Sequence, residues 1–141
     1  METELSKFAA ATDQLNWAID LYFDHQAYIP AITLAGAAEE ILGEPLGDKS
    51  IFSILRDNLS AEFNLTKPVV SQQHLNKAKN WLKHWKDLRD EESIAINLHT
   101  EATQYLVRAT ANFLDHDIPP SPQITRFIEW AASQRSQAGQ P

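Results

Sequence analysis

The sequence predicts an all-α protein, an up-and-down bundle of about five to six helices. Apolar residues recur at three- and four-residue spacing along most of the chain, which is the period of one helix face. Proline, glycine and Asx residues separate these stretches, whereas the best strand signal is only the pair Val69 and Val70. The 141 residues, 43% of them hydrophobic, suffice for one globular core. We therefore expect a single helical bundle domain over residues 1–132 and a frayed polar tail over residues 133–141.

Composition limits the kinds of site that the protein can contain. Cysteine is absent, so the chain has neither disulfides nor thiolate metal ligands. The net charge of −7 opposes sequence-independent attraction to nucleic acid, and any such role must rest on a local basic patch. The first residues carry acid where a secretory signal carries Lys or Arg, and no apolar run approaches the roughly 18 residues of a membrane span. These features predict a cytoplasmic protein without a membrane partner.

Two helices are expected in the first third of the chain. The first, over about residues 4–25, turns one apolar face to the core, while Trp17 and Leu21 lie away from that face. These two residues predict contact with a second neighbour or a partner subunit. An ordinary two-sided bundle helix is the alternative. The second helix has Pro30 in its first turn and ends at Gly43, because proline suits a helix start and glycine a helix end.

Glu39 is the most informative acid of the second helix. A helical wheel places it inside the edge of the buried arc, whereas Glu40 points outward. Because burial penalises a charged carboxylate, Glu39 requires a partner or a raised pKa. We expect Glu39 to lie close to Lys79, His84 or Arg108. Both a structural ion pair and a functional carboxylate are compatible with this position.

The remaining chain predicts four more helices. Ser50 caps the third, and Ser71 caps a fourth that runs to about Leu88. The fifth and longest spans about residues 92–116, and the last follows the pair Ser121-Pro122. The side of the fourth helix that is expected to be buried consists of Leu75, Ala78, Trp81, Leu82, Trp85 and Leu88.

The polar side of the fourth helix is the strongest candidate for chemistry. Asn80 and His84 are four residues apart and share a helix face, and His84 lies near the boundary with the apolar side. A partly shielded histidine suits proton exchange near neutral pH. Positive charge that attracts phosphate comes from Lys77, Lys79 and Lys83. The alternative is a solvated helix face that merely contains a histidine.

The run Lys79-Asn80-Trp81-Leu82-Lys83-His84 resembles the signature of HEPN domains, in which Arg, usually followed by a polar residue, precedes His on a helix. The small-residue run from Tyr28 to Glu39, with its embedded acid, is similar in kind to another helix of that family. The resemblance implies a helical bundle that is often dimeric. Active members of the family are metal-independent ribonucleases, many of them toxins or defence effectors, and many other members are noncatalytic binding modules.

The resemblance also implies a role for each of three residues. His84 would handle the proton of the ribose 2′-hydroxyl or of the leaving 5′-oxygen, Asn80 would orient His84 or the phosphate, and Lys79 would stabilise the developing phosphorane charge. Lys79 stands where the family has arginine, and lysine supplies charge without a planar bidentate fork. The supporting candidates are Glu39, Lys77 and Lys83.

The sequence lacks the motif by which helical bundles bind metals, and two classes of function, RNA binding or cleavage and noncatalytic protein interaction, remain as hypotheses. Helical bundles hold metals through Glu-x-x-His pairs, but no acid precedes any of the five histidines by three residues. We therefore expect no metal and no cofactor. The leading hypothesis is a homodimeric HEPN-like protein that binds or cleaves RNA or nucleotide phosphate, with an antitoxin among its candidate partners. The alternative is a noncatalytic helical module that dimerises or pairs with another protein.

Overall fold

The computed structural model describes residues 1–85 and 92–139, and this part of the chain contains helices and no strands. Within these residues, seven α-helices follow one another: α1 Lys7–His25, α2 Tyr28–Gly43, α3 Ile51–Phe63, α4 Lys67–Val69, α5 Lys77–Lys83, α6 Leu98–Leu114 and α7 Pro122–Ala138. A 3-10 segment, Glu44–Lys49, joins α2 to α3, and a π-helical turn, Val70–Leu75, directly follows α4. The predicted all-α class is confirmed. Over the described ranges, no helix combines the length and the apolar character that a membrane crossing requires.

The core lies where α2 packs between α1 and α6. Small residues of α2, among them Ala31, Ala35 and Ala38, are fully buried and allow the neighbouring helices to approach closely. Larger side chains fill the remaining space, such as Leu15 from α1 and Phe113 from α6. Helix α7 packs mainly against α1. The acid-bearing end of α2 is therefore held between two long helices.

Local side-chain signals explain several helix ends. Hydroxyl oxygens of Ser6, Ser50 and Ser121 accept hydrogen bonds from the first turns of α1, α3 and α7. The predicted starts after Ser50 and Ser121 and the predicted end of α2 at Gly43 are confirmed. Helix α1 begins at Lys7 instead of near residue 4, because Ser6 is its cap.

The single helix expected from Ser71 to Leu88 is divided. Thr66, rather than Ser71, caps the first helical turn of this region. The π-helical turn then ends at Leu75, and after Asn76 helix α5 runs from Lys77 to Lys83. Leu88, which the prediction placed on the buried side of this helix, lies outside the described residues.

Two later boundaries also differ from the prediction. Helix α6 begins at Leu98 instead of near residue 92, because the Asn97 side chain accepts a hydrogen bond from the Thr100 amide at 3.0 Å. Helix α7 continues to Ala138, past the expected end at Ala132, although its side chains beyond Ala132 are exposed. A solvent-exposed helical extension therefore occupies residues 133–138.

Candidate functional site

A buried ion pair joins α2 to α6 near the start of α5. Glu39 is 2% exposed and Arg108 5% exposed, and two guanidinium nitrogens bind the two carboxylate oxygens, Nη2 to Oε1 at 2.6 Å. The prediction that Glu39 has a cationic partner is confirmed, with Arg108 as that partner. Because both charges have lost their water, each depends on the other, and the bidentate geometry fixes the two helices relative to one another.

Arg108 also bonds to the chain between the π-turn and α5. Its Nη1 donates to the Leu75 carbonyl oxygen at 2.8 Å, and its Nη2 donates to Oδ1 of Asn76 at 3.2 Å. The guanidinium carbon lies 4.8 Å from the ring centre of Tyr105 and 5.8 Å from that of Phe52. Hydrogen-bond acceptors and aromatic rings together replace the water that this cation has lost.

Lys79 is buried beside the ion pair. Its side chain is 2% exposed, and its ammonium group bonds to Glu40, whose side chain remains 59% exposed. Gly36 of α2 makes room for the lysine, since a Cβ at that position would lie 2.5 Å from Lys79 Cδ. The small-residue stretch of α2 thus accommodates an aliphatic lysine stem whose charged end reaches the edge of the protein.

Asn112 clamps the end of α2 to the start of α3. Its Nδ2 donates to the Glu39 carbonyl oxygen at 3.1 Å, and its Oδ1 accepts a hydrogen bond from the Ile51 amide at 2.9 Å. Gly43 provides the space, because a Cβ there would lie 2.9 Å from Nδ2 of Asn112. Both ends of this buried amide are therefore engaged in holding two other helices.

Burial and ion pairing move the pKa values of the two adjacent carboxyls in opposite directions. Burial raises the pKa of Glu39, and the charge and hydrogen bonds of Arg108 offset that effect only in part. Burial acts on Glu40 as well, but the hydrogen bond and charge of Lys79, with the charge of Lys83, hold its pKa below the ordinary value. Glu40 therefore stays ionised to lower pH than Glu39.

These groups line a cleft of about 460 Å³ between α2, the 3-10 segment, α3 and α5. The charged groups of its walls are the carboxylates of Glu39, Glu40, Glu44 and Asp48 and the cations of Arg56 and Lys79. Carboxylates outnumber cations, and the ammonium group of Lys79 is already bonded to Glu40. The lining therefore disfavours a phosphate ligand in the cleft.

The outer side of α5 and the residues just after it carry aromatic rings and positive charge. Trp81 is 36% exposed and Trp85 is 63% exposed, so their predicted place in the core is wrong. Both rings border an open depression of about 340 Å³, lined by Trp81, Leu82, Lys83, His84, Trp85 and Glu92. We call the outward-facing set Lys77, Asn80, Trp81, Lys83, His84 and Trp85 the α5 surface.

The buried arc of α5 is rotated relative to the prediction. Ala78 and Lys79 are buried, while Leu82 is half-buried against the core. The wider π-turn and the break at Asn76 separate α5 from the turn before it. The periodicity of one continuous helix from Ser71 therefore does not describe which side chains face inward.

The structure places the predicted catalytic residues in two different locations. Lys79 lines the cleft, whereas His84 and Lys83 line the depression, and Asn80 and Lys77 are exposed. Asn80 and His84 remain linked through the backbone, because the His84 amide donates to the Asn80 carbonyl oxygen at 3.1 Å where α5 ends. His84 itself has an extended backbone, with φ −131° and ψ 137°. Asn80 and His84 thus share the outer surface, and Lys79 faces α2.

Sequence reasoning does not identify two participants, Tyr105 and Asn112. Tyr105 lies on the predicted apolar stripe of α6, but its hydroxyl accepts from the Lys79 amide at 3.2 Å and donates to the Leu75 carbonyl oxygen at 3.0 Å. Asn112 follows Arg108 by four residues and therefore lies on the same side of α6. That spacing from a buried arginine is the signal by which Asn112 could have been found.

Within residues 1–85 and 92–139, no group of three or more histidines and acids is placed to hold a metal ion. A scan against protein-family models found no match, and searches of curated proteins and of solved structures found none either. Function must therefore be inferred from the chain's own residues, above all those of α5 and α6.

Proposed function

We propose that this chain is a HEPN-like helical protein that binds single-stranded RNA at the α5 surface. One observation carries the proposal: exposed tryptophans, lysines and a histidine occur together in a stretch where the acidic chain is locally basic. From Asn64 to Trp85 the sequence has four lysines, two histidines and no acid, although the whole chain has a net charge of −7. Of these lysines, Lys79 is buried against Glu40 and Lys67 is paired with Asp57, so the exposed charge of the patch comes from Lys77 and Lys83. This is the local basic patch that a nucleic-acid role requires in an acidic protein.

The residue types of the α5 surface match the chemistry of single-stranded nucleic acid. Unpaired bases stack on aromatic rings, and one such contact contributes about 1–3 kcal/mol. Trp85 is 63% exposed and offers a ring of this kind. The exposed lysines Lys77 and Lys83 supply positive charge for the phosphates. The side chains of Asn80 and His84, on the same surface, supply hydrogen-bonding groups.

We propose binding rather than cleavage because of the position of Lys79. The resemblance assigns to this residue the stabilisation of a developing phosphorane, which requires a cation within reach of the phosphate. The Lys79 side chain is instead 2% exposed and its ammonium group is bonded to Glu40. His84 alone retains the exposure that proton transfer to a bound RNA demands.

The binding proposal is tested by fluorescence anisotropy with a labelled single-stranded RNA of about 12 nucleotides, a length within the range that such surfaces cover. Trp85→Ala should weaken binding by roughly 5- to 100-fold, since a stacking contact is lost. The matched control is Trp17→Ala, which removes an equally exposed tryptophan, 58% exposed, from α1 and should leave the affinity unchanged. Equal affinities for wild type and Trp85→Ala would refute the proposed site.

Incubating the protein with the same RNA in the presence of a chelator tests whether the protein cleaves RNA without a metal ion. We expect the RNA to stay intact after prolonged incubation with the wild-type protein. If the RNA is cut, and if His84→Ala abolishes the cutting while the helical circular dichroism signal is preserved, the chain is a metal-independent ribonuclease and the binding-only proposal is wrong.

A second candidate function is a noncatalytic interaction module that dimerises or pairs with another protein through α1. The observation that favours it is Trp17, which is 58% exposed on the side of α1 away from the core. Light scattering tests this function: a dimer that becomes a monomer on Trp17→Ala supports it. A monomeric wild-type protein that purifies without a partner argues against it.

A further inference from the structure

We propose that Tyr105 is a positioning residue whose hydroxyl is inserted into the backbone of the α5 region and thereby sets the direction of α5. The claim about α5 stands on geometry alone, and its consequence for RNA rests on the proposed function above. Tyr105 belongs to α6 and is fully buried. It is 26 residues away in sequence from Lys79, whose backbone it contacts.

The inserted hydroxyl replaces one hydrogen bond of a regular helix. In an α-helix the amide of Lys79 would donate to the carbonyl oxygen of Leu75, four residues earlier. Here the Lys79 amide donates to the Tyr105 hydroxyl at 3.2 Å, and the same hydroxyl donates to the Leu75 oxygen at 3.0 Å. Insertion of a side chain between an amide and its carbonyl is an established cause of helix kinks.

The backbone on either side of the insertion changes its hydrogen-bonding pattern. Before it, the Asn76 amide donates to the Ser71 carbonyl at 2.9 Å, a five-residue step of the π-turn. After it, the Asn80 amide donates to the Asn76 carbonyl at 2.9 Å, the four-residue step of an α-helix. Asn76 itself has φ −114° and ψ 7°, outside the helical region. The insertion therefore coincides with the boundary between the two kinds of helix.

Arg108, which is also on α6, donates to the same backbone carbonyl as Tyr105. Its Nη1 donates to the Leu75 oxygen at 2.8 Å, so this carbonyl receives two hydrogen bonds from α6 and none is required from Lys79. A tyrosine hydroxyl is protonated at neutral pH, and burial raises the pKa of Tyr105 further above its ordinary value, so this hydroxyl is able to donate. One α6 face thus holds the end of the π-turn through two donors.

Helix α5 depends on such contacts because it is short. Its seven residues span about 10 Å, too few for a helix that is stable by propensity alone. Its inward-facing apolar side chains are Ala78 and Leu82. Polar contacts at its first turn therefore contribute much of its orientation, and with it the direction in which Trp85 and His84 point from the protein.

Tyr105→Phe tests the inference, since it keeps the ring against Arg108 and removes only the hydroxyl. Hydrogen exchange should become about tenfold faster for the amides of residues 77–83 and stay unchanged for those of α1 and α7. RNA affinity should fall by about threefold or more. The matched control is Tyr22→Phe, which also removes a bonded, buried hydroxyl, one that contacts His99 and Thr103 at 2.9 Å and 2.7 Å.

Each outcome of this experiment decides a different claim. Unchanged exchange in residues 77–83, or an equal increase in α1 and α5, overturns the positioning role of Tyr105. Faster exchange in α5 with undiminished RNA affinity overturns its importance for the α5 surface. If the wild-type protein binds no RNA, the proposed function fails, and the exchange measurement still confirms or overturns the positioning of α5.

Discussion

The buried pair of Glu39 and Arg108 stabilises the fold only while both partners are present. Removing one partner leaves the other's charge without water and without a counter-charge, which costs about 3–5 kcal/mol of unfolding free energy. We expect Arg108→Met to lose that amount and the double variant Glu39→Leu/Arg108→Met to regain at least half of it, because apolar side chains can replace a buried pair at little cost. Urea unfolding measures both variants.

An exposed ion pair provides the control for this prediction. Asp24 and Arg126 are bonded at 2.9 Å, but their side chains are 48% and 50% exposed. Asp24→Asn should therefore lower the unfolding free energy by less than about 1 kcal/mol. The prediction is refuted if the double variant is no more stable than Arg108→Met alone.

Gly36 is required by the stem of Lys79 rather than by helix geometry. A Cβ at this position meets Lys79 Cδ at 2.5 Å and Cγ at 3.1 Å, which are closer than carbon atoms approach without strain. Gly36→Ala should therefore lower stability by about 1–3 kcal/mol in thermal or urea unfolding, despite the higher helix propensity of alanine. Gly139→Ala, at the exposed end of α7, is the control and should be close to neutral.

A double-variant cycle separates the clash from other effects of the substitution. In a Lys79→Ala background the stem is absent, so the cost of Gly36→Ala should shrink to near zero. An undiminished cost in that background would show that Lys79 is not the reason for the glycine.

At the level of helices, an end that is set by a neighbouring residue can be predicted from the sequence, whereas an end that is set by a distant contact cannot. Ser50, Ser121 and Gly43 act on helix ends within a single turn, so the sequence alone predicts those ends. The boundary between the π-turn and α5 depends on Tyr105 and Arg108, which reach Leu75 across 30 and 33 residues. No local pattern near residue 75 encodes that contact, and a continuous helix is the reasonable prediction.

The same distinction holds for the candidate site. The need of Glu39 for a partner or a raised pKa follows from its place on a buried arc, and a position close to Lys79, His84 or Arg108 could be predicted. The burial of Lys79 could not be predicted, because it depends on the absence of a side chain at Gly36 and on the carboxylate of Glu40, both on α2. From the sequence alone, a lysine with polar neighbours is predicted to be exposed, and only the packing of the facing helix shows that it is buried.

Asn112 of α6 is hydrogen-bonded to α2 and α3, and we expect its removal to destabilise α3 most. Asn112→Ala removes a hydrogen bond to the Glu39 carbonyl and leaves the Ile51 amide, at the first residue of α3, without its partner; an unsatisfied buried group costs about 1–3 kcal/mol. None of the residues of α3 is fully buried, so little apolar packing compensates. Hydrogen exchange should therefore accelerate more in α3 than in α1. Gln104→Ala, exposed on the same helix, is the control.

At the scale of the whole molecule, the described residues on the two sides of α5 form an acidic cleft and the basic α5 surface. The two meet at α5, where Lys79 turns inward to Glu40 and Lys83 remains outside. The charge of Lys83 still acts on Glu40 and helps to lower its pKa. Neutralising Glu40 therefore affects both the fold and the field at the α5 surface.

The stability of the whole chain should depend on pH through Glu40 and Glu39 with opposite signs. The folded-state pKa of Glu40 lies below its ordinary value near 4.5, so its contribution is present above that value and is lost as pH falls through the lowered pKa. Burial raises the pKa of Glu39, so its contribution is present below the ordinary value and is lost as pH rises through the raised pKa. Each carboxyl therefore needs its own variant.

Glu40→Gln isolates the first of these effects. The difference in unfolding free energy between wild type and Glu40→Gln should be largest near neutral pH and should shrink as pH falls through the lowered pKa of Glu40, where the wild-type carboxyl becomes protonated in the folded state as well. Urea unfolding at intervals from about pH 3 to pH 7 measures it. In a Lys79→Met background the difference should no longer grow as pH rises, because burial, the largest influence on Glu40, raises its pKa and only the charge of Lys83 is left to oppose it. A difference that is independent of pH in the wild-type background would mean that the bond between Lys79 and Glu40 does not contribute to stability.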